Sequence, residues 1–360
     1  MTDKETQTSQ SHTPADLLDT IRNSKSSDTL IKANTQTPLL LTKLITNGEK
    51  PQNINRITAQ ISDSILVKFI EFAMVEIGPP PAAFSFIVFG SVGREEQTLK
   101  TDQDNAIIYE DIDTEHAASV REYFLTLGKK VCTWLDSAGY TFCEGRNMAM
   151  NPAYCQPLSV WKQYFSTWVF SVTDNDLLRV KIFFDFRNVY GESLIEEDLR
   201  AHLDRITIEN PGFFQTLARN ILQMEPPIGF WGRFIVETEG PKRGAFNIKN
   251  AMVPIVDFAR IYAMKNKIRT ANTIQRLDAL RDMKILNDMS REMADAYAYL
   301  MQMRLSVQAR AIASGKTAPS NYVFPNSLTS NEQKSLKECF AHTKNFKQKL
   351  SYDFLGRLNG

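Results

Sequence analysis

Two aspartates, Asp102 and Asp104, have the spacing that most directly suggests chemistry in this sequence. They immediately precede Asn105–Tyr109, an apolar segment with the length and composition of a strand. Side chains at i and i+2 of an extended chain project to the same face, so the two carboxylates repel unless a cation lies between them. A site with oxygen ligands only favours Mg²⁺ or Mn²⁺ over zinc.

A glycine turn lies upstream of these aspartates, at Gly90 and Ser91. The apolar segment 84–89 has strand character and ends at this turn. A glycine there lets the backbone approach a ligand closely, and free N–H groups at the start of a following helix suit an anion such as phosphate. The spacing matches neither a Walker A loop nor a GxGxxG fingerprint, so the turn alone does not specify a nucleotide site.

A third carboxylate, Asp185, lies in the segment 179–187, where β-favouring apolar residues predict a strand. Strict alternation would place Lys181, Asp185 and Arg187 on one face, so that Asp185 could share a cleft with the aspartate pair. The alternative is an ion pair of Asp185 with Lys181 or Arg187, because ion pairs are common and catalytic residues are rare. The sequence leaves both roles open.

The elements that must position these residues fall into three stretches of different character. Short helices broken near Ser26 and Pro38 are expected between residues 16 and 45, followed by an amphipathic helix over 54–77. Strands and helices then alternate, with strands at 84–89, 105–109, 140–143 and 179–187 and helices at 114–139 and 158–172. The rest is helical, with helices at 193–208, 211–223, 250–266, 270–286, 288–313 and 330–350 and a small hairpin or extended link over 230–237 and 244–248.

The alternation of strands and helices indicates an α/β or α+β domain, which is followed by a C-terminal helical bundle. We expect four regions along the chain. They are a disordered tail over 1–15, a helical region over 16–79, a catalytic domain over 80–192 and a helical domain over 193–360.

The composition excludes several classes of protein and partner. The 42 Lys+Arg and 41 Asp+Glu residues give a formal charge of +1, which disfavours a nucleic-acid substrate. No apolar run is long enough for a membrane helix, and the first residues lack a secretory signal, so we expect a cytoplasmic protein. The cysteines form no CxxC pair, so neither a zinc site nor a disulfide is expected among Cys132, Cys143, Cys155 and Cys339.

Taken together, these motifs carry a resemblance to a known family. The string GSVGREEQTLKTDQDNAIIY over 90–109 resembles the nucleotidyltransferase fold of the DNA polymerase β superfamily. It is most similar to the nucleotidyltransferase family related to the bifunctional uridylyltransferase of bacterial nitrogen regulation, whose members often accompany CBS-pair or cyclic-nucleotide-binding modules. Further matches are FFDFRNVYG over 183–191, PIVDFAR over 254–260 and NTIQRL over 272–277, the last two in that family's substrate-binding domain.

The resemblance implies an α+β fold class with a mixed sheet and helices, followed by the C-terminal helical bundle. It also implies a role for each matching residue. Gly90 and Ser91 would hold the β- and γ-phosphates of a nucleoside triphosphate, Asp102 and Asp104 would bind Mg²⁺ or Mn²⁺, and Asp185 would complete a two-metal catalytic site. The basic residues Arg94, Lys181 and Arg187 are candidates for nucleotide binding, and Lys249, Arg260 and Arg276 are candidates in the substrate domain. For Arg94, pairing with a neighbouring acid is an equal alternative. Asn247 stands where relatives commonly have an acid.

The implied reaction is the Mg²⁺-dependent transfer of a nucleoside monophosphate from an NTP to a hydroxyl, with release of pyrophosphate. The implied acceptor is a protein such as a small signalling regulator, modified by an activity of the uridylyl- or adenylyltransferase type. The alternative is a nucleotide-sensing regulator that binds NTP or a partner without turnover. The sequence does not give the base, the acceptor or the oligomeric state.

Overall fold

A computed structural model describes residues 13–171, 173–315 and 319–356 of the chain. The first twelve residues of the predicted disordered tail lie outside these ranges. The described part opens with three short helices and one long one: α1 (Pro14–Asn23), α2 (Ser27–Asn34), α3 (Thr37–Thr46) and α4 (Pro51–Ile77). The predicted breaks near Ser26 and Pro38 are confirmed, because Ser26 is the N-cap of α2 and Pro38 lies in the first turn of α3.

A four-stranded mixed sheet forms the centre of the next region. Its elements in chain order are β1 (Phe84–Val88), α5 (Gly90–Gly93), β2 (Asn105–Tyr109), α6 (Ala117–Ser137), β3 (Cys155–Pro157), α7 (Leu158–Phe170), α8 (Asp174–Phe183) and β4 (Arg187–Gly191). The strand order is β3-β2-β1-β4, with β1 antiparallel to β2 and β4 and with β3 parallel to β2. The predicted α+β class with a mixed sheet is confirmed.

Both faces of this sheet are covered, which explains why every residue of its two central strands is buried and most of them are apolar. Phe86 and Ile107 point into a core that includes α4 and α6, whereas Ile87 and Ile108 point into a second core with α7 and the C-terminal helices. Successive side chains of a strand point to opposite faces, so a strand covered on both sides favours apolar residues on both faces.

Two predicted strands are wrong. The segment 140–143 forms only an isolated bridge between Thr141 and Asp102, and the strand parallel to β2 comes later, at β3. The segment 179–187 is divided between the end of α8, a turn and the start of β4. Thr173 and Asp176 form a capping box that begins α8 upstream of this segment, and its apolar residues fit a helical stripe as well as a strand.

The C-terminal region is a helical bundle with one small sheet. Its helices are α9 (Ser193–Glu209), α10 (Pro211–Gln223), α11 (Ile248–Lys265), α12 (Thr273–Asp282), α13 (Asn287–Ala313) and α14 (Ser330–Leu355). The strand β5 (Phe246–Asn247) pairs with β6 (Tyr322–Val323). The two parts of the link expected over 230–237 and 244–248 meet through backbone hydrogen bonds of Glu237 with Gly244 and Ala245. None of the helices in the described ranges combines the length and the apolar character needed to cross a membrane.

A buried ion cluster around Asp185 connects the sheet region to the bundle. Asp185 lies in the turn between α8 and β4 and is fully buried. One of its carboxylate oxygens accepts hydrogen bonds from Arg260 (3.0 Å) and Arg276 (2.7 Å), and the other accepts from Arg260 (2.6 Å) and Arg94 (2.9 Å). Arg94 follows α5, whereas Arg260 and Arg276 lie on α11 and α12. A single carboxylate therefore binds guanidinium groups from both regions.

Charge balance makes this cluster possible. Burial by itself would raise the pKa of Asp185, but the charges of Arg260, Arg276 and Arg94 outweigh it and hold the pKa well below the ordinary aspartate range. Glu96 supplies a second negative charge, because it accepts a hydrogen bond from Arg94 (2.7 Å) and another from the backbone N–H of Thr273 at the start of α12 (2.6 Å).

The substitution Asp185→Asn should therefore destabilise the fold strongly. It leaves three buried guanidinium groups without their shared anion, and breaking a buried ion pair in this way typically costs about 3–5 kcal/mol. The carboxylate pKa is lowered in the folded state, so its contribution is fully present above the unfolded value of about 3.9 and is lost as the pH falls below it. Chemical denaturation at several pH values should thus show a gap between wild type and variant that narrows toward acid.

Asp198→Asn is the matched control, because Asp198 pairs with Lys162 (2.7 Å) on the surface. Such a pair contributes about 1 kcal/mol or less. Equal destabilisation by both variants would contradict a special role for the Asp185 cluster.

Candidate functional site

The turn between β1 and α5 depends on its two glycines. Gly90 has a φ of +60°, and a Cβ atom there would lie 2.8 Å from the Oδ2 atom of Asp104. At Gly93 a Cβ atom would collide with the backbone carbonyl oxygen of Asp185. Glycine at both positions lets the turn pass between these two acids.

Asp102 and Asp104 lie together, as their spacing predicts, and a third side chain joins them. One oxygen of each carboxylate and the Sγ atom of Cys143 all lie within 4.8 Å of one another. The backbone N–H of Gln103 donates to the carbonyl of Thr141 (2.9 Å), which holds the loop carrying Cys143 beside the aspartates. The group thus offers one sulfur atom beside the oxygen atoms expected from the sequence.

The ionisation of the group is shifted by its surroundings. Burial and the negative charge of Asp102 raise the pKa of Asp104 to about 7. Burial and the carboxylate of Asp104 raise the pKa of the Cys143 thiol. A buried carboxyl group such as that of Asp104, whose charge a neighbouring carboxylate disfavours, is typical of a place where a cation binds.

Asp185, the third predicted metal ligand, is not part of this group. Arg94, Arg260 and Arg276 occupy both of its oxygens, so its surroundings favour the ion-pair alternative. The partners differ from those expected from the sequence. Lys181 lies 3.2 Å from Asp257 instead, and Arg187 donates to Asp63 at 2.8 Å.

A cavity of about 280 Å³ lies where the sheet region meets the bundle. Its volume is close to the lower end of the range for small-molecule sites. Gly90, Ser91 and Asp104 line it from the sheet region. The cationic side chains that line it come from both regions and are Arg94, Lys181, Lys249, Arg260 and Arg304. These five cations face three acids, Glu96, Asp104 and Asp257, so the cavity carries a surplus of positive charge.

The predicted basic residues thus occupy different places. Arg94, Lys181, Lys249 and Arg260 line this cavity, whereas Arg276 is buried in the Asp185 cluster and Arg187 lines another cavity. Lys249 lies in the first turn of α11, where the side chain of Asn247 accepts a hydrogen bond from its backbone N–H (3.0 Å). The asparagine at position 247 therefore acts as the N-cap of that helix.

Arg304 is a cavity residue for which the sequence suggested no role. It lies on α13, where it is almost fully buried, and its Nε donates to Asn321 (2.9 Å). Burial lowers its pKa to about 10. The 3.6-residue pattern of α13 indicates which face of the helix is buried, but not that this face meets the turn after β1.

A second cavity, of about 830 Å³, shares Arg94 with the first. Its charged residues are largely paired already, since Arg200 binds Glu196 (2.6 Å) and Arg187 binds Asp63. Neither Ser91 nor either member of the aspartate pair lines it. The smaller cavity is therefore the candidate functional site.

Two protein-family models match the chain. A family model described as "Putative nucleotidyltransferase DUF294" matches residues 35–175, and one described as "Putative nucleotidyltransferase substrate binding domain" matches residues 211–354. Comparison with curated proteins finds no match. The first match contains the aspartate pair and Cys143, the second contains Lys249 and Arg304, and Asp185 lies between them. Together the two matches cover most of the chain, which therefore belongs to this nucleotidyltransferase family and carries its C-terminal substrate-binding domain.

Proposed function

We propose that the chain transfers a nucleoside monophosphate from an NTP to a hydroxyl acceptor in a reaction that depends on a divalent cation. The acceptor oxygen attacks the α-phosphorus, the bond from this phosphorus to the oxygen that bridges to the β-phosphate breaks, and pyrophosphate leaves with that oxygen. The acceptor hydroxyl gives up its proton. The observation that carries the proposal is the cavity in which Ser91, Asp104 and five cationic side chains converge.

Unpaired charges of both signs support a ligand at this place. Among the described residues, no ion pair within 4.0 Å involves Asp102, Asp104, Lys249 or Arg304, although Asp104, Lys249 and Arg304 share the cavity. Acids that do not pair with nearby cations suit a metal ion, and cations that do not pair with nearby acids suit phosphate. A nucleoside triphosphate with its metal ion provides both partners.

The aspartate pair has donors that fit Mg²⁺ or Mn²⁺. Asp102 and Asp104 would hold the ion, and when bound it would neutralise charge on the phosphate oxygens during the displacement. Lys249 and Arg304 would bind the phosphates. Arg94 and Arg260 would add positive charge from fixed positions, because their guanidinium groups also bind Asp185.

We further propose a protein as the acceptor, with uridylyl or adenylyl transfer to a signalling regulator as the specific case. The family resemblance supports this choice, and the formal charge of +1 gives no general attraction to a nucleic acid. Transfer from α-labelled ATP, UTP, GTP or CTP to proteins of a lysate identifies both the nucleotide and the acceptor. A salt-sensitive RNA-binding assay tests the polymerisation alternative.

The ion pairing of Asp185 with three arginines favours a second candidate function, in which the protein binds NTP as a sensor without turnover. A third carboxylate that is engaged by three arginines is not free to activate an acceptor oxygen. Calorimetry with each NTP, with and without Mg²⁺, followed by a pyrophosphate-release assay, separates the two functions. Mg²⁺-dependent binding with no release under any acceptor condition would support the sensor.

Replacing both aspartates, Asp102→Asn with Asp104→Asn, should reduce Mg²⁺-dependent transfer roughly 100-fold or more, because the ion that stabilises charge in the displacement loses its carboxylates. Labelling of acceptors by α-labelled NTP measures the effect. Asp113→Asn is the control, since Asp113 is an exposed acid that pairs with His116 (2.9 Å). Unchanged labelling in the double variant would overturn the proposed function.

Lys249→Ala should weaken NTP binding about tenfold, because an exposed cation at the cavity contributes about 1–2 kcal/mol through a charge-assisted hydrogen bond to phosphate. The loss should shrink as salt is added. Titration calorimetry at two salt concentrations measures both effects. Lys267→Ala is the control, since Lys267 follows the same helix but lies outside the cavity. Equal losses in the two variants would contradict a phosphate contact at Lys249.

A further inference from the structure

Cys143 is placed as a ligand would be, because its Sγ atom lies within 4.8 Å of one oxygen of Asp102 and one of Asp104. Its sulfur accepts a hydrogen bond from the Nδ2 of Asn147 (3.7 Å), and the backbone N–H groups of Gly145 and Asn147 also donate to it. The thiol of Cys143 also hydrogen-bonds to Asp104, as the thiol of Cys132 does to Asn105 (3.5 Å), and backbone N–H groups of Ala149 and Met150 are directed at Cys132 in the same way. The two cysteines differ in their neighbours, because among the described residues only Cys143 lies in a group with two carboxylates that could hold a metal ion. N–H groups directed at the sulfur would stabilise the charge of a metal-bound thiolate there.

The loop that carries Cys143 is shaped for this arrangement. Residue 145 is glycine, and a Cβ atom there would lie 2.9 Å from the Nδ2 of Asn147 and 3.7 Å from the Sγ of Cys143. The backbone carbonyl of Asn147 accepts a hydrogen bond from Asn105, the first residue of β2 (3.2 Å). The loop is thus fixed to the strand that follows the aspartate pair. The Oδ1 atom of Asn147 is buried and has no hydrogen-bond partner in the described structure.

We propose that Cys143 is a ligand of the same cation as Asp102 and Asp104, and that the site consequently binds Zn²⁺ or Co²⁺ more tightly than Mg²⁺. The inference rests on the proposed function for the role of the aspartate pair as a cation site. A thiolate is a soft ligand that favours Zn²⁺ and Co²⁺, whereas Mg²⁺ prefers oxygen. The oxygen-only site predicted from the sequence is thereby replaced by one with two carboxylates and one sulfur.

Co²⁺ titration of the full chain tests the inference by absorption spectroscopy. A sulfur-to-cobalt charge-transfer band should appear in the wild type and disappear in Cys143→Ser. The variant should bind Co²⁺ roughly 10- to 100-fold more weakly, the loss typical of disrupted metal sites, with nearly unchanged Mg²⁺ binding. Cys339→Ser should behave as the wild type, because Cys339 lies on α14 and belongs to no candidate metal group in the described part of the chain.

Zinc-edge X-ray absorption of the wild type provides a test that does not depend on the folding of a variant. A sulfur scatterer at about 2.3 Å together with oxygen scatterers is expected. Oxygen and nitrogen scatterers alone, or a cobalt band that survives in Cys143→Ser, would overturn the inference while leaving Mg²⁺-dependent transfer intact. A cobalt band that depends on Cys143 in a protein without nucleotidyl transfer would support the metal site and count against the proposed function.

Discussion

The arrangement of the candidate site depends on the buried pairing of Asp185 with Arg94, Arg260 and Arg276. Four charges out of contact with water are costly, and their attraction offsets the cost only when geometry and hydrogen bonding are close to ideal. The carboxylate meets this condition, because each of its oxygens accepts hydrogen bonds from two guanidinium groups. The turn after α8 therefore has little freedom to move relative to α11 and α12.

This constraint also orients the cations of the cavity. Arg94 and Arg260 line the cavity, and their guanidinium groups are held in place by Asp185. A guanidinium group that is already held in place needs little reorganisation when an anion arrives, which is the condition for electrostatic stabilisation in a preformed site. The two arginines thus connect the stability of the fold to the charge of the site. Lys249, which is exposed and forms no ion pair with any residue that the structure describes, has no such restraint.

Local patterns allowed part of this site to be predicted from the sequence. The spacing of four residues within one short stretch was enough to predict that they belong to one site: Gly90, Ser91, Asp102 and Asp104. The structure brings them together around one turn. The helix over 211–223 was predicted with the bounds it has, because Pro211 and the apolar period define it locally. The alternation of strands and helices indicated an α/β or α+β domain, and the family resemblance selected α+β.

Other parts depend on contacts that no local pattern contains. The apolar residues of the segment 179–187 fit the pattern of a strand as well as that of a helix. The capping box at Thr173, which lies outside the segment, starts a helix that runs into it. Cys143 joins the aspartates because Thr141 pairs with Asp102, and Arg304 joins the cavity because α13 packs beside the sheet region. Ion pairing provides a further distinction among the acids. Asp185, Glu96 and Asp257 are bound by arginine and hold the fold, whereas Asp102 and Asp104 form no ion pair within the described residues. Acids left without a cation beside a cavity rich in cations are those for which a metal ion is the natural partner.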